Sequence, residues 1–364
     1  MKHEEASGCC VEAASANMRA ASGCSGCCRC AVVILNWNGA EMLRRYLPSV
    51  LACSAEKGVV VIVADNASTD DSLQVLADQF PQVSVIRLDR NYGFAEGYNR
   101  ALAQVEADYY LLLNSDVEIR QEHWLRPMLS YMDAHPEVAA CQPKLLSLRE
   151  PAKFEYAGAC GGYLDRYGYP YCRGRVLGTV EDDQGQYDDV ADVHWATGAA
   201  LLIRSEDWHR QGGLDAGFFA HMEEIDLCWR LRREGRRIVC VPQSTAYHLG
   251  GGALAYGHPQ KTFLNHRNNL LMLRKNLPAA ELRRAWRMRW WLDRLEALSH
   301  LLRGHRDHAA AILRARREAK AAMVEPPSEP SDGSVAASSG LSELCLLWQY
   351  YVRRRHTFTA LAER

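Results

Sequence analysis

The sequence lacks any run of about twenty apolar residues, the length that a helix needs to cross a bilayer. Its first residues, MKHEE, lead into a segment rich in Ala, Ser, Gly and Cys, which differs from the apolar core of a secretory signal. It also lacks an excess of charge. Because 364 residues carry a formal net charge of −1, nucleic acid is not expected as a partner. These absences predict a cytoplasmic globular protein of one large domain or two modest ones.

Two nucleotide-binding signatures are absent as well. No predicted strand ends in GxGxxG or GxxxxGKS/T, which excludes the common dinucleotide-binding fold and the P-loop enzymes. Cysteine is plentiful, but six of the 13 cysteines precede residue 31, and neither a His nor a second well-spaced Cys pair completes a zinc site there. Residues 1–30 are therefore predicted to be a disordered, Cys-rich tail with reduced thiols.

From residue 31 onward, apolar runs alternate with helical patterns. Strands are predicted at 31–35, 59–63, 83–88 and 109–113, and helices at 41–51, 72–80 and 91 to about 106. Such alternation is typical of parallel pairing in a doubly wound α/β sheet. The ligand of such a sheet lies beyond the carboxyl ends of its strands.

The four predicted strands all end in polar residues. Their exits are Asn36-Trp37-Asn38-Gly39, Asp65-Asn66, Arg90-Asn91 and Asn114-Ser115-Asp116. Asn, Asp and Gly are also ordinary turn formers, so each exit alone has a structural interpretation. Four polar exits at one sheet edge favour a binding site, and Trp37 offers a flat surface on which a base can stack.

A second polar cluster begins a helix after Phe218-Phe219. Glu223, Glu224 and Asp226 crowd its first turn, where carboxylates suit the helix dipole. Helical spacing places Glu224 at the end of an apolar stripe and assigns Glu223 and Asp226 to the polar side. Glu224 is thus expected to point inward. From the residues alone, a helix start and a catalytic acid remain equal alternatives.

Five motifs in this order resemble family 2 glycosyltransferases, in particular the bacterial rhamnosyltransferase-like subgroup. They are LNWNG at 35–39, DNASTD at 65–70, NYGFA at 91–95, LNSD at 113–116 and EEID at 223–226. The resemblance covers 31–278. It implies a GT-A fold, that is, a Rossmann-like, mostly parallel sheet flanked by helices, which here has a C-terminal helical extension. It also implies inverting transfer of a sugar from a nucleotide-diphosphate donor, dTDP-rhamnose or a UDP-hexose, to an acceptor hydroxyl in cell-surface polysaccharide synthesis.

The resemblance assigns donor-side roles to individual residues. It implies that Trp37 stacks near the base and that Asp65 hydrogen-bonds it. The other donor-side residues it implies are Asn36, Asn91, Asn99, Ser115 and Gly198. Gly198 would permit a close approach of the backbone.

The same resemblance implies a site for Mg²⁺ or Mn²⁺ against the diphosphate. Asp116 would be its chief ligand, and Asn114 stands where the family has a first carboxylate, which should weaken the site. His248 would complete the metal site or touch the diphosphate. A lone His at a strand end is also commonly structural.

The resemblance further implies that Glu224 is the general base that takes the proton of the acceptor hydroxyl, with Glu223 beside it. Asp226 belongs to the same cluster, but an ion pair with Arg230 one turn later is the preferred interpretation. The acceptor would be a saccharide or a lipid-linked saccharide. Two other functions remain open: an inactive nucleotide-sugar-binding scaffold, because Asn114 and Glu224 depart from the family pattern, and a nucleotidyltransferase, which the lack of an early Gly-rich phosphate loop disfavours.

The C-terminal third is strongly basic in part. Residues 279–322 are predicted to be a basic amphipathic helical segment, 323–340 a linker and 341–364 a C-terminal helix. Trp286, Trp290 and Trp291 lie among arginines, which predicts peripheral contact with an anionic membrane at its inner face or, equally, packing on the catalytic domain. Upstream, 267–269 and 274–276 carry basic and amide residues that face either a diphosphate or solvent.

Overall fold

A large sheet organises the chain in the computed structural model, which describes residues 28–250, 257–323 and 340–362. The strands are β1 Cys30–Asn36, β2 Val59–Asp65, β3 Ser84–Arg87, β4 Tyr109–Asn114, β5 Val117–Glu118, β6 Val138–Ser147, β7 Gly162–Leu164, β8 Pro170–Cys172, β9 Arg175–Val176, β10 Thr179–Val180, β11 Ala191–Asp192, β12 Ala200–Arg204 and β13 Arg237–His248. The predicted tail lies outside the described residues up to residue 27, as does most of the predicted linker.

Helices cover both faces of this sheet. The α-helices are α1 Ala40–Cys53, α2 Ser72–Gln79, α3 Gly93–Leu102, α4 Leu125–Ala134, α5 Ser205–Arg210, α6 Glu223–Arg233, α7 Pro259–Asn276, α8 Ala279–Leu302, α9 Arg306–Ala321 and α10 Phe358–Ala362. A 3-10 turn covers Ala216–Phe218, and a π-helix covers Trp348–Val352. The four predicted strands and the three helices between them are all present, with ends that differ by a few residues.

The first half of the sheet is parallel. β4, β1, β2 and β3 lie side by side in that order, and their pairing aligns Leu35 with Asn114 and Asn36 with Asp65. The polar exits of β1, β2 and β4 therefore meet at one edge, which confirms the prediction. The chain runs from β1 to β2 and β3 on one side of β1 and then crosses to the other side of β1 to form β4. This reversal of strand order beside β1 is the point at which a doubly wound sheet binds its ligand.

The second half of the sheet mixes strand directions. β12 runs antiparallel to both β4 and β6 and joins the two halves. β13 pairs in parallel with β6 and in antiparallel fashion with β5 and β11. The pairing of His248 with Val117 brings the end of β13 to the turn that follows β4.

Two hydrophobic cores lie on opposite faces of the sheet because alternate side chains of each strand point to opposite sides. On β1, Ala31 and Val33 face one core, whereas Val32 and Ile34 face the other. Helix α3 covers the first core with Tyr98, and α1 covers the second with its apolar stripe, Leu43, Leu47 and Val50. Burial on both faces explains why these strands are apolar throughout.

Beyond the main sheet, β7 to β10 form a small antiparallel sheet. The C-terminal segment packs on it, with Leu346 and Leu361 against Tyr171 and Val176. A single helix is predicted for 341–364, but the described part holds the π-helix and α10, separated by a non-helical stretch. The predicted basic segment 279–322 forms α8 and α9. Within the described ranges, no helix combines the length and the apolarity that crossing a membrane requires.

Candidate active site

The exits of β1 and β2 are tied together by buried polar contacts. Asn36 donates from Nδ2 to Asp65 Oδ1 at 3.2 Å and to Ser68 Oγ at 3.2 Å, while the Ser68 amide donates to Asp65 Oδ2 at 3.0 Å. Both oxygens of Asp65 are therefore engaged within the protein, and the side chain is buried. The structure thus gives Asp65 the task of shaping the loops, in addition to the base contact that the resemblance implies.

Gly39 makes this arrangement possible. An added Cβ at residue 39 would lie 2.3 Å from Asn36 Oδ1 and 3.7 Å from Ser115 Oγ. Because the first contact is a clash with a buried and constrained side chain, a residue other than glycine would displace Asn36. Ser115, predicted on the donor side, indeed lies beside the exit of β1.

Trp37 stands next to these fixed residues and leaves 51% of its surface exposed. Trp37→Ala should weaken donor binding by about 1–3 kcal/mol if the indole stacks on the base, by analogy with other base–aromatic contacts. Calorimetric titration of the nucleoside diphosphate into both proteins checks this. Because the side chain is half exposed, the variant should unfold at nearly the wild-type temperature. Unchanged nucleotide affinity in a folded Trp37→Ala protein would remove Trp37 from the donor site.

Asn91, just before α3, and Asn99, within α3, were both predicted on the donor side, but they differ in whether their side chains are free to bind a donor. Asn91 is exposed, and its Oδ1 accepts from Asn66 Nδ2 at 3.0 Å and from the Gly93 amide at 2.8 Å. Asn99 instead binds the backbone of Leu214 with both of its amide atoms, at 2.7 and 2.9 Å. Asn99 was predicted to flank the donor, but its side-chain amide holds α3 to the loop before α6 through these two hydrogen bonds.

A buried charged cluster lies at the end of β4. His248 Nε2 is 3.1 Å from Asp116 Oδ1 and 3.3 Å from Asn114 Nδ2, while its Nδ1 is 3.3 Å from Glu155 Oε1. All of these side chains except Asn114 are buried. The pairing of β13 with β5 places His248 here, so the three predicted metal-site residues do come together.

Opposite charges dominate the electrostatics of this cluster. Burial raises the pKa of Asp116, but the hydrogen bond and charge of His248 outweigh it and hold that pKa below its ordinary value. For His248, burial lowers the pKa, and the contacts with Asp116 and Glu155 outweigh it and raise the pKa to about 10. The imidazolium form suits an anionic diphosphate, whereas metal ligation requires the neutral ring.

The donor set suits a hard divalent cation in part. Within the described residues, no three His, Cys, Asp or Glu side chains are arranged to enclose a metal. Asp116, His248 and the Asn114 amide supply a partial set of oxygen and nitrogen donors at one point. Mg²⁺ and similar ions commonly bind through one or two carboxylates together with substrate phosphates and water. The residues present therefore fit an ion that is completed by the donor.

Glu155 is the member of this cluster that the sequence analysis missed. It follows β6 in a segment without a recognisable pattern, and nothing in the sequence links it to His248, which lies 93 positions later. Its carboxylate forms an ion pair with the imidazole at Nδ1, the side from which a carboxylate orients metal-binding histidines in many proteins. Only the tertiary fold shows this pairing.

The acidic start of α6 and the exit of β4 both contact the residues that lead into β12. Glu224 lies against Gly198, because an added Cβ on Gly198 would lie 3.7 Å from Glu224 Cβ and 3.2 Å from the Phe94 ring. The backbone N–H of Asn114 donates to the Ala199 carbonyl at 3.0 Å. Two adjacent residues, Gly198 and Ala199, therefore contact Glu224 and Asn114 respectively.

The helical-face interpretation was partly wrong. Glu223, assigned to the polar side, is only 3% exposed, and Asp226 is also buried, whereas Glu224 is partly exposed. The helix is covered on more than its apolar stripe, because α7 and the loop before α6 pack on the side that carries the carboxylates. The spacing of apolar residues shows only the apolar side of a helix, so it could not predict that the polar side of α6 is also covered.

Burial raises the pKa of both glutamates. For Glu223, the nearby charges of Glu224 and Asp226 raise the pKa further, to well above its ordinary value. For Glu224, backbone amides that include that of Gly198 act against burial. Of the two carboxyls, Glu223 therefore favours its protonated form more strongly, and Glu224 is the one that ionises more readily and can serve as a base.

Asp226 is part of an ionic network. Its Oδ2 is 2.9 Å from Arg230 Nε and 2.9 Å from Lys275 Nζ, and its Oδ1 accepts from Asn276 Nδ2 at 2.8 Å. The predicted pairing with Arg230 is confirmed. The direct catalytic role of Asp226 is disfavoured, because both oxygens are held by side chains of α6 and α7.

The basic and amide residues of α7 brace the same region. Asn268 Nδ2 lies 2.8–2.9 Å from the carbonyls of Phe218, Ala220 and His221, and Arg267 donates to the Gly217 carbonyl. These residues were predicted to face a diphosphate or solvent, but they hold the loop before α6. His221 and Met222 adopt φ of 71° and 76°, which is unusual for residues other than glycine.

Comparison with known proteins agrees with this geometry. Residues 31–158 match the family model described as glycosyl transferase family 2. The chain is 26% identical over 320 residues to the N-acetylglucosaminyl-diphospho-decaprenol L-rhamnosyltransferase of Mycobacterium tuberculosis, a match that covers 81% of this chain and 97% of that relative. It is 30% identical over 166 residues to the rhamnosyltransferase WbbL of Escherichia coli K12, covering 43% of this chain and 61% of WbbL.

Solved structures show the same fold. Staphylococcus aureus TarS 1–349 in complex with UDP-GlcNAc superposes with a TM-score of 0.52 at 16% identity, covering 79% of this chain and 81% of TarS 1–349. The mannosyltransferase PcManGT of Pyrobaculum calidifontis, in complex with GDP-Man and Mn²⁺, gives 0.50 at 14% identity and covers 86% and 87%.

The fold is thus that of the GT-A glycosyltransferases, as the motifs predict. The chain is a glycosyltransferase that carries a glycosyl transferase family 2 domain, and its curated relatives include rhamnosyltransferases.

Proposed function

We propose that this chain is an inverting glycosyltransferase that moves a sugar from a nucleotide-diphosphate donor to an acceptor hydroxyl. One observation carries the proposal: two adjacent residues join the cluster of Asp116 and His248 to the base candidate Glu224, because the Ala199 carbonyl accepts from the backbone amide of Asn114 and Gly198 packs against Glu224. A polar cluster suited to a leaving diphosphate and a carboxylate suited to a base are thus connected to the same short stretch of backbone before β12.

Donor binding combines one exposed surface with several fixed polar groups. Trp37 offers a face for the base, while Asn36 and Asp65 keep the loop that carries it in place. A nucleoside diphosphate gains negative charge as it leaves, so the cation at Asp116, supplemented by His248, would stabilise that charge. A divalent ion such as Mg²⁺ or Mn²⁺, held by Asp116 with Asn114 and His248, is part of the proposal, and PcManGT provides a Mn²⁺-bound structural parallel.

Acceptor activation falls to Glu224. The Oε2 atom of Glu224 is buried and has no hydrogen-bond partner among the described residues, so it can take the proton of a hydroxyl group as that oxygen attacks the anomeric carbon on the side opposite to the leaving diphosphate. The new bond to the acceptor oxygen forms as the bond to the diphosphate breaks, which inverts the anomeric centre. The raised pKa of Glu223 favours its protonated form, which avoids two adjacent buried negative charges.

We further propose dTDP-rhamnose as donor, with UDP-hexoses as the next choice, and a lipid-linked saccharide as acceptor. Support comes from the name of the M. tuberculosis relative, which combines a rhamnosyl donor with a diphospho-decaprenol acceptor, and from the length of that match. Action of this kind belongs to cell-surface polysaccharide synthesis at the inner face of the membrane.

The metal part of the proposal is tested by Asp116→Asn. The substitution removes the carboxylate of the Asn-Ser-Asp triplet, so metal-dependent nucleotide binding should fall by more than the roughly 10–100-fold expected when an outer-shell partner is lost. Thermal shifts with dTDP or UDP, with and without Mn²⁺, provide the measurement, since a ligand that binds only the folded state raises the melting temperature.

Glu155→Gln and Glu150→Gln serve as comparisons for this test. Glu155→Gln should weaken Mn²⁺-dependent binding by about 10–100-fold, because the backing of His248 is lost. Glu150 is exposed and pairs with Lys153, so Glu150→Gln should behave as wild type. An Asp116→Asn protein with the wild-type Mn²⁺ response would refute the metal assignment.

A further inference from the structure

Helix α8 has an unusual distribution of polarity. Its buried side carries charged residues: Arg289 donates from Nε to Asp293 Oδ1 at 3.2 Å, and Arg316 of α9 donates to Asp293 Oδ2 at 2.8 Å. Arg289 also lies over the Tyr169 ring, with its guanidinium carbon 4.2 Å from the centroid. The inner side of α8 therefore combines these ions and hydrogen bonds with Leu282, Ala285 and Leu292, which pack on the core.

The solvent side of the same helix carries large apolar residues. They are Met288, Trp291, Leu295, Leu298 and Leu302, which follow one another at intervals of three or four residues and so form one stripe. Trp291 is 62% exposed and Leu302 is 80% exposed. Contiguous apolar surface of this kind on a soluble chain marks a contact surface. We call this stripe the α8 outer face.

Arginines flank the stripe. Arg283, Arg284 and Arg287 are exposed in its first half, and Arg294 stacks on the Trp290 ring with its guanidinium carbon 3.6 Å from the centroid. Helical spacing places Arg284 in line with the stripe and the others beside it. The outer face thus combines apolar, indole and guanidinium groups.

Acidic groups are nearly absent from this face. Between Arg283 and Arg303 the helix has two acids, Asp293 and Glu296. Asp293 is bound to Arg289 and Arg316, and Glu296 pairs with His266 at 3.2 Å on the inner side. Glu281, in the first turn, is the exposed acid of the helix and lies at the edge of the stripe. The arginines of the outer face therefore have no matching carboxylates on it.

This charge pattern decides between two occupants. A second copy in parallel pairing would bring arginine against arginine, and in antiparallel pairing it would bury the arginines against Leu295 to Leu302 without a counter-ion, which is costly. An anionic lipid surface accepts both features. Arginines reach phosphate groups, indoles sit at the level of the headgroups, and leucines enter the acyl boundary.

We propose that the α8 outer face docks this enzyme onto a bilayer that contains anionic phospholipid. This docking would bring the enzyme to the surface where a lipid-linked acceptor lies. It rests on the proposed function only in this choice of acceptor. The helix connects directly to the site: α8 follows α7, whose Asn268, Lys275 and Asn276 hold the loop and the helix that carry Glu224.

The test is co-sedimentation of the full chain with vesicles of phosphatidylcholine alone or with phosphatidylglycerol. We expect binding to the mixed vesicles, little to the neutral ones, and weaker binding as salt rises. Replacing Arg283, Arg284 and Arg287 together with Gln should weaken binding by about 100-fold, since each cationic residue near an anionic surface contributes roughly 5-fold. Trp291→Ala should also weaken it.

Trp348→Ala is the matched control, because Trp348 is 55% exposed but lies in the C-terminal π-helix. It should bind vesicles as the wild type does. Circular dichroism confirms that each variant is folded. Failure of the wild-type chain to bind the mixed vesicles, equal binding to neutral vesicles, or equal loss in the two tryptophan variants would overturn the proposal. A concentration-dependent dimer abolished by Trp291→Ala, without vesicle binding, would assign the face to a second copy.

These outcomes are independent of the reaction. The vesicle assay needs neither donor nor transfer, so a failed vesicle test with a normal Mn²⁺-dependent nucleotide shift rejects the docking face alone. The reverse result rejects the proposed donor chemistry and leaves the docking face supported.

Discussion

Glu224→Gln should lower the rate of sugar transfer by about two to four orders of magnitude while donor affinity changes little. The substitution keeps the volume of the side chain and its contact with the Gly198 backbone but removes the carboxylate that takes the acceptor proton. Transfer to an acceptor hydroxyl and binding of the nucleoside diphosphate are measured on the same preparation. A loss of donor affinity equal to the loss of rate would show that Glu224 holds the donor.

Glu223→Gln is the matched comparison, since the same change is made one residue away. Burial and the neighbouring charges raise the pKa of Glu223 and favour its neutral form, so a neutral amide should replace it with a much smaller loss of transfer. If Glu223→Gln is inactive and Glu224→Gln transfers at a near-normal rate, the base is Glu223.

The pH profile adds a second readout. Because burial raises the pKa of Glu224 above its ordinary value of 4.5, the ionised base is lost at a higher pH than for an exposed glutamate. Transfer should therefore fall as the pH drops through that raised pKa, and Glu224→Gln should lack this acidic limb. A wild-type profile that stays flat down to pH 4.5 would contradict the assignment.

Asp226→Ala should destabilise the fold by about 3 kcal/mol, the lower end of the range for removing one partner of a buried ion pair. The substitution leaves Arg230 and Lys275 without their shared carboxylate, although Lys275 keeps its contact with Asp215 at 2.6 Å. Urea unfolding gives the free energy of unfolding. The exposed pair of Glu150 and Lys153 provides a control, because Glu150→Ala should cost less than about 1 kcal/mol.

This measurement also separates two roles for Asp226. A structural carboxylate predicts reduced stability, with transfer per folded molecule largely retained at low temperature. Wild-type stability combined with lost transfer would return Asp226 to the reaction itself.

The sequence predicts the donor half of the site because its elements are local. The exits of β1, β2 and β4 follow directly from apolar strands, and parallel pairing alone brings them to one edge. The meeting of Asp116 with His248 came from the family resemblance, which supplied the pairing that periodicity could not. Glu155 was missed by both.

Side-chain roles were harder to predict than positions. Asn99 is in the right neighbourhood, yet its amide is used by Leu214, and a sequence pattern cannot tell whether a polar atom is already bound. Glu223 and Asp226 were placed on a polar face, and the polar face proved to be covered by α7. The buried carboxylates became visible only with the partners that α7 supplies.

The position of β12 in the sequence affects how the chain folds during synthesis and which fragments of it can fold alone. During synthesis, β4 emerges with one edge unpaired, and its partner β12 follows only after β6 and the small sheet have been made. A fragment ending at residue 158, where the family match stops, would leave the apolar edge of β4 open to pairing with other chains. We therefore expect such a fragment to aggregate, and the smallest autonomous unit to extend at least through Arg204.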